Sequence, residues 1–163
     1  MAEVQQLIQQ GERLLNEFDY EGAHKRFKKA LDKDENARAY FGKAEAALGI
    51  PEIESEDIIA DYEKAIELEE NPFYHQAVAS FCIDVGKFEK AEEHYREAAE
   101  LDPENKPHYL SELAVGYRFK APVMMEKLIQ QTGQGEDIIL RKSLNYMLEA
   151  LDIDRDKAKE LLG

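Results

Sequence analysis

Small and aromatic side chains recur along this chain in one fixed pattern. Ala23, Phe27 and Ala30 stand four and three residues apart, as do Ile58, Tyr62 and Ala65, and again Ala91, Tyr95 and Ala98. On a helix that spacing forms one stripe, where small residues let a neighbouring helix approach and the ring fills the gap. The stripes begin at positions 23, 58 and 91, a period that averages about 34 residues. The turn before the stripe recurs too, as Phe18-Asp19-Tyr20-Glu21 and Gly86-Lys87-Phe88-Glu89. Upstream of each stripe lies a second segment, carrying Leu7, Gly11 and Leu14, then Tyr40, Ala44 and Ala47, then His75, Ala79 and Cys82. Each period therefore predicts two helices and a short turn.

Two places depart from the pattern. Leu48 to Ser55 is about two residues longer than the other turns and contains Pro51, which reads as an insertion at a surface turn. Ser55, followed by Glu56 and Asp57, is the expected N-cap of the next helix. After Pro103 the stripe decays, although Met125, Ile129 and Thr132 keep its frame. Tyr109, Leu110, Leu113 and Tyr117 behind Pro107 predict one helix. Ala121-Pro122 is expected to open its partner, which Thr132-Gly133-Gln134-Gly135 ends. Ile138, Ile139, Leu144, Met147, Leu148 and Leu151 predict a further helix over 137–152, and Asp154 a cap for a short one over 155–162. No strand is expected.

Residues 72–105, with the Ala91–Tyr95–Ala98 stripe and the Leu101-Asp102-Pro103 close, resemble a tetratricopeptide repeat, a helix–turn–helix unit found in tandem. The resemblance implies an all-α, right-handed α-α solenoid of helix pairs with a C-terminal capping helix. It divides 1–163, read as one domain, into repeats over 4–36, 37–71 and 72–105, a degenerate repeat over 106–133, and capping helices over 136–163. It also gives Gly11 a reason, since a Gly or Ala there lets the paired helix pack closely despite costing about 1 kcal/mol relative to Ala. No tryptophan fills the large aromatic site of such repeats.

Charge narrows the function classes. The chain of 163 residues carries a net charge of −14, with ten acidic residues against Lys64 alone between Glu45 and Glu70. Such a surface repels phosphate backbones, so nucleic acid is not an expected partner. The cluster Lys25-Arg26-Phe27-Lys28-Lys29 reads as a solvated helix face, partly neutralised by acidic faces of neighbouring repeats. No apolar run reaches the roughly 20 residues that cross a bilayer, and Met1 to Gln5 do not start a signal peptide. With one cysteine, Cys82, the expected setting is a reducing one, hence cytoplasmic.

Catalytic patterns are missing from the sequence. It holds no phosphate loop, zinc spacing or nucleophile turn, and its four histidines lie in different segments. His75 and Cys82 fall on apolar faces and read as core. The expectation is a non-enzyme without cofactor or metal.

The resemblance implies that function lies on the concave side, lined by the first helix of each pair. Those positions are Gln5, Ile8, Gln9 and Glu12 in the first repeat, and Arg38, Phe41 and Glu45 in the second. The third presents Phe73, Gln76, Ala77 and Ser80, and the fourth Leu110, Ser111, Ala114 and Tyr117. One subclass of the family grips acidic chaperone tails with Lys, Asn and Arg; here Ile8, Glu12, Gly42, Phe73 and Ala77 hold the matching places, and none can bind a carboxylate. The expected partner is a protein or peptide, neutral or basic, with apolar anchors. The alternative is a structural protein whose groove is filled by its own C-terminal helices or by a second copy in a homo-dimer.

Overall fold

The computed structural model of the chain describes residues 1–124, 126, 135–152 and 155–162, and they are helical with no strand among them. They separate into two compact units, Met1–Tyr74 and His75–Gly163. No described helix is long and apolar enough to cross a membrane.

The first unit contains α1 (Ala2–Asn16), α2 (Tyr20–Leu31), α3 (Ala37–Ala47) and α4 (Ser55–Leu68). The Ala23–Phe27–Ala30 stripe of α2 is fully buried, in one cluster with Val4, Leu7 and Ile8 of α1 and Ala39 and Ala46 of α3. Phe27 sits against two glycines. A Cβ on Gly11 would lie 2.8 Å from its ring, and one on Gly42 would lie 2.3 Å away. Both helices thus approach the ring through positions that have no side chain. Asp19 caps α2 by accepting from the Gly22 N–H at 2.9 Å, and Asn36 caps α3 by accepting from Ala39 N–H at 3.2 Å. Ser55 is the first residue of α4 and not its cap: Glu54 holds that place and makes no side-chain capping bond. The long turn before it is anchored, because Gly49 leaves room for the Tyr20 ring, which a Cβ would meet at 2.2 Å.

Helix α5 (Pro72–Asp84) starts at the end of the first unit and lies mainly in the second. There follow α6 (Phe88–Leu101), a single 3-10 turn (Pro103–Asn105), α7 (Lys106–Met124), α8 (Gly135–Ala150) and α9 (Arg155–Leu162). Ala91 and Ala98 are fully buried and Tyr95 nearly so, as the stripe requires. Helix α7 does not break at Ala121-Pro122; it runs to Met124 with Pro122 inside. Proline there forfeits only its own N–H bond to residue 118, and the helix ends two residues later. Met125, Ile129, Thr132 and Asp154 lie outside the described residues.

Helix α8 packs on α7. The Ser143 hydroxyl donates to the Ala114 carbonyl at 2.8 Å, and the Tyr146 ring meets Tyr117 edge-on at 6.0 Å. Arg96 of α6 fastens it, with two bonds to Glu149 at 3.0 and 3.3 Å and its guanidinium over the Tyr146 ring.

Two turns two periods apart end α1 and α5 in the same way. Gly86 has φ 80°, with Lys87 N–H reaching the Cys82 carbonyl at 2.8 Å. Phe18 occupies the equivalent place at φ 60°, with Asp19 N–H bonded to the Leu14 carbonyl at 2.9 Å. That left-handed conformation suits glycine and strains phenylalanine. The Phe18 ring is 76% exposed and touches only the edge of Tyr20 in an aromatic contact. Phe18→Gly is therefore expected to raise stability by about 0.5–1 kcal/mol. A lower urea midpoint in the variant would show that the ring contact outweighs the strain.

A titration also follows from this packing. Tyr109 donates to Asp102 Oδ2 at 2.8 Å, and Asn105 donates to the same oxygen at 2.8 Å. Burial, then the bond and charge of Asp102, push the Tyr109 hydroxyl from 10.0 up to about 12. A raised folded-state pKa contributes stability that is complete below pH 10 and lost as pH climbs toward 12. Stability should fall between pH 9 and pH 12, less steeply in Tyr109→Phe. Equal slopes in urea melts across that range would refute it.

Candidate protein-interaction surface

The first-helix positions divide between the two units. In the first, Gln5 and Gln9 are exposed on α1, and Glu12 accepts two bonds from Arg38 of α3, from Nε at 2.5 Å and Nη2 at 2.7 Å. This bidentate pair links α1 to α3, so neither charge is free for a ligand. Glu45 accepts from the Tyr62 hydroxyl at 2.5 Å. Phe41 is half-buried and stacks on Tyr74 at 4.6 Å. Phe73 is 67% exposed. Ile8 is a correction: it is fully buried, because it packs into the Phe27 cluster.

In the second unit the residues form a groove between α5 and α7. Gln76, Ser80 and Asp84 recur every four residues along α5, and His108, Glu112, Gly116 and Lys120 do so along α7. The stripes face one another. Gln76 donates to Glu112 at 3.0 Å and pairs with His108 at 3.3 Å, and Lys120 bridges Asp84 at 3.3 Å. Gly116 lets the helices close, since a Cβ there would meet Ile83 at 3.1 Å. Between the two polar links lies a cavity of about 430 Å³, lined by Ser80, Tyr95, Ser111, Glu112 and Val115 among others. Tyr95 rises from α6 to its floor. Burial pushes the Tyr95 hydroxyl well above its usual range, helped by the charge of Glu112 and a bond to it, while a bond with Ser80 opposes the shift. The hydroxyl is thus a neutral donor at any physiological pH.

Of the expected positions, Gln76, Ala77 and Ser111 are half-buried and Ser80 exposed. Leu110, Ala114 and Tyr117 are corrections. Leu110 and Ala114 are fully buried, and Tyr117 lies between Phe88 at 5.2 Å and Tyr146, with Lys142 over its ring. The chain itself occupies that part of α7. Sequence reasoning missed His108, Glu112 and Lys120, although their four-residue spacing was available as a signal. It also missed the contact of His75 with His94, whose Nδ1 atoms lie 2.9 Å apart, so one ring donates to the other. Among the described residues no three His, Cys, Asp or Glu side chains converge as a metal site would require.

A family model of the tetratricopeptide repeat matches residues 72–105. Solved structures share the fold. A crystal structure of MamA superposes with a TM-score of 0.70 at 20% identity, covering 96% of this chain and 81% of that one. A second, of MamA protein, gives 0.71 at 19% identity, covering 96% and 75%. No curated protein matches the chain. The expected fold class, an all-α solenoid of helix pairs closed by a C-terminal helix, stands on these likenesses and on the packing of α8 over α7. Residues 72–105 thus match a tetratricopeptide repeat, set in an all-helical fold that the chain shares with the MamA structures.

Proposed function

We propose that the chain is a non-catalytic protein-interaction module that binds a segment of a partner protein in the groove between α5 and α7. The supporting observation is the groove itself, walled by two facing polar stripes with apolar surface from Val115 and Ile83 between them. Such a surface offers hydrogen bonds at both ends and an apolar seat in the middle, which suits an extended or helical segment with apolar anchors. Glu112 and Asp84 face the groove, so a neutral or basic segment is the better match.

A photo-crosslinking residue at Ser80 tests this, with Glu97, exposed on α6, as the control position. A partner captured from Ser80 and not from Glu97 is the expected result. Equal capture from both would remove the groove from the reading.

One observation favours a second reading for part of the surface. Ser143 and Tyr146 of α8 lie on Ala114 and Tyr117, so the chain fills its own α7 face there. We infer that α8 covers the Ala114 and Tyr117 face of α7 and leaves the α5–α7 groove to a partner segment. A homo-dimer through the remaining groove predicts a concentration-dependent mass that Ser80→Arg abolishes.

A further inference from the structure

We propose that the outer face of α2 is a second binding site, for an acidic segment of another protein carrying an apolar anchor. The first unit contains nine basic residues. Five have a carboxylate within 4.0 Å: Arg13 with Glu17, Lys33 with Glu3, Arg38 with Glu12, Lys43 with Asp61, and Lys64 with Glu67. The other four, Lys25, Arg26, Lys28 and Lys29, are exposed and pair with no carboxylate among the described residues. The neutralisation expected from neighbouring acidic faces does not occur at this helix.

A merely solvated face accounts for part of this. Lys28 and Lys29 lie in the last turn of α2, where the helix dipole favours cations. Lys25 and Arg26 lie mid-helix and gain nothing from it. Lys25 stands three and four residues from Lys28 and Lys29, spacings at which like charges repel. The cluster therefore works against the helix that carries it, in a unit where eighteen acidic residues were available as partners.

The four cations also surround a depression. A cavity of about 540 Å³ is lined by all four together with Leu14 and Gly22, and by Asp19 and Asp32, the residues that bound α2 at its two ends. Leu14 offers an apolar seat beneath a cationic rim, which is the complement of an acidic segment with an aliphatic side chain. Extended polyanions fit poorly, since the net charge of −14 repels whatever charge reaches beyond one twelve-residue helix. A second copy brings that same net charge to the encounter. A short acidic segment does not.

The test is fluorescence anisotropy with a labelled peptide of glutamates carrying a leucine at every fourth place. The variant combines Lys25→Gln, Arg26→Gln, Lys28→Gln and Lys29→Gln; since the sites are exposed and their charges repel, its circular dichroism melt should not fall below the wild type's. Affinity is expected to fall roughly tenfold or more in the variant, and to weaken steadily with salt. Ser80→Arg, in the groove, should not reduce it, which separates this site from the one above. Three results would overturn the proposal: no binding by the wild type, equal binding by the quadruple variant, or equal binding of a glutamine version of the peptide. Self-association of the chain that the quadruple variant abolishes would also overturn it, by making a second copy the occupant.

Discussion

Ala91→Glu is expected to lower the unfolding free energy by several kcal/mol, on the order of 3–5. Ala91 is fully buried at the start of the stripe that α6 presents to its neighbours. A carboxylate there would enter a fully buried site that holds a methyl group, and burying a charge is among the most costly single changes in a core. Protonation would relieve the charge and leave the overpacking, which adds its own cost. Glu93→Ala, two residues away and exposed, is the control and should move stability by no more than about 0.5 kcal/mol. Urea unfolding followed by circular dichroism reads both. A midpoint for Ala91→Glu equal to the wild type would mean that the stripe does not face the core, contrary to its burial.

The stripes were legible because their rule is local. Four-and-three spacing on one helix decides which residues share a face, and Ala23, Phe27, Ala30, Ile58, Tyr62, Ala65, Ala91, Tyr95 and Ala98 are all buried. The groove depends on something the spacing within one helix does not contain, the rotation of α7 against α5. Gln76 meets Glu112 and Asp84 meets Lys120, both 36 residues on. The family register, applied at 34, lands instead on Leu110 and on Arg118. Two positions on a helix are about 200°, a little over half a turn, enough to exchange a lining residue for a core one. That is why Leu110 and Ala114, expected to line the groove, are buried. Ile8 fails for a related reason: both its neighbours in the Phe27 cluster and its exposure are set by how closely the glycines let α1 approach.

That approach is the subject of the second large effect. Phe27→Ala is expected to cost about 3–5 kcal/mol. The ring is fully buried and is the largest side chain in its cluster. Its removal leaves a void between Gly11 on α1 and Gly42 on α3, two positions with no side-chain atoms that could fill it. The same geometry predicts a reversal of sign at Gly42. With Phe27 in place, a Cβ at residue 42 would sit 2.3 Å from Cζ and 2.4 Å from Cε1. Gly42→Ala must then displace an aromatic ring, at a cost of about 1–3 kcal/mol that exceeds the roughly 1 kcal/mol gained in helix propensity. Once Phe27 is alanine the obstruction is gone, the propensity gain remains, and the added methyl occupies part of the void. Gly42→Ala should therefore destabilise the wild type and stabilise Phe27→Ala. A double-mutant cycle measures the coupling directly. Additive effects of the two substitutions would show that α3 does not close on the ring through Gly42, and that some other contact sets the distance between these helices.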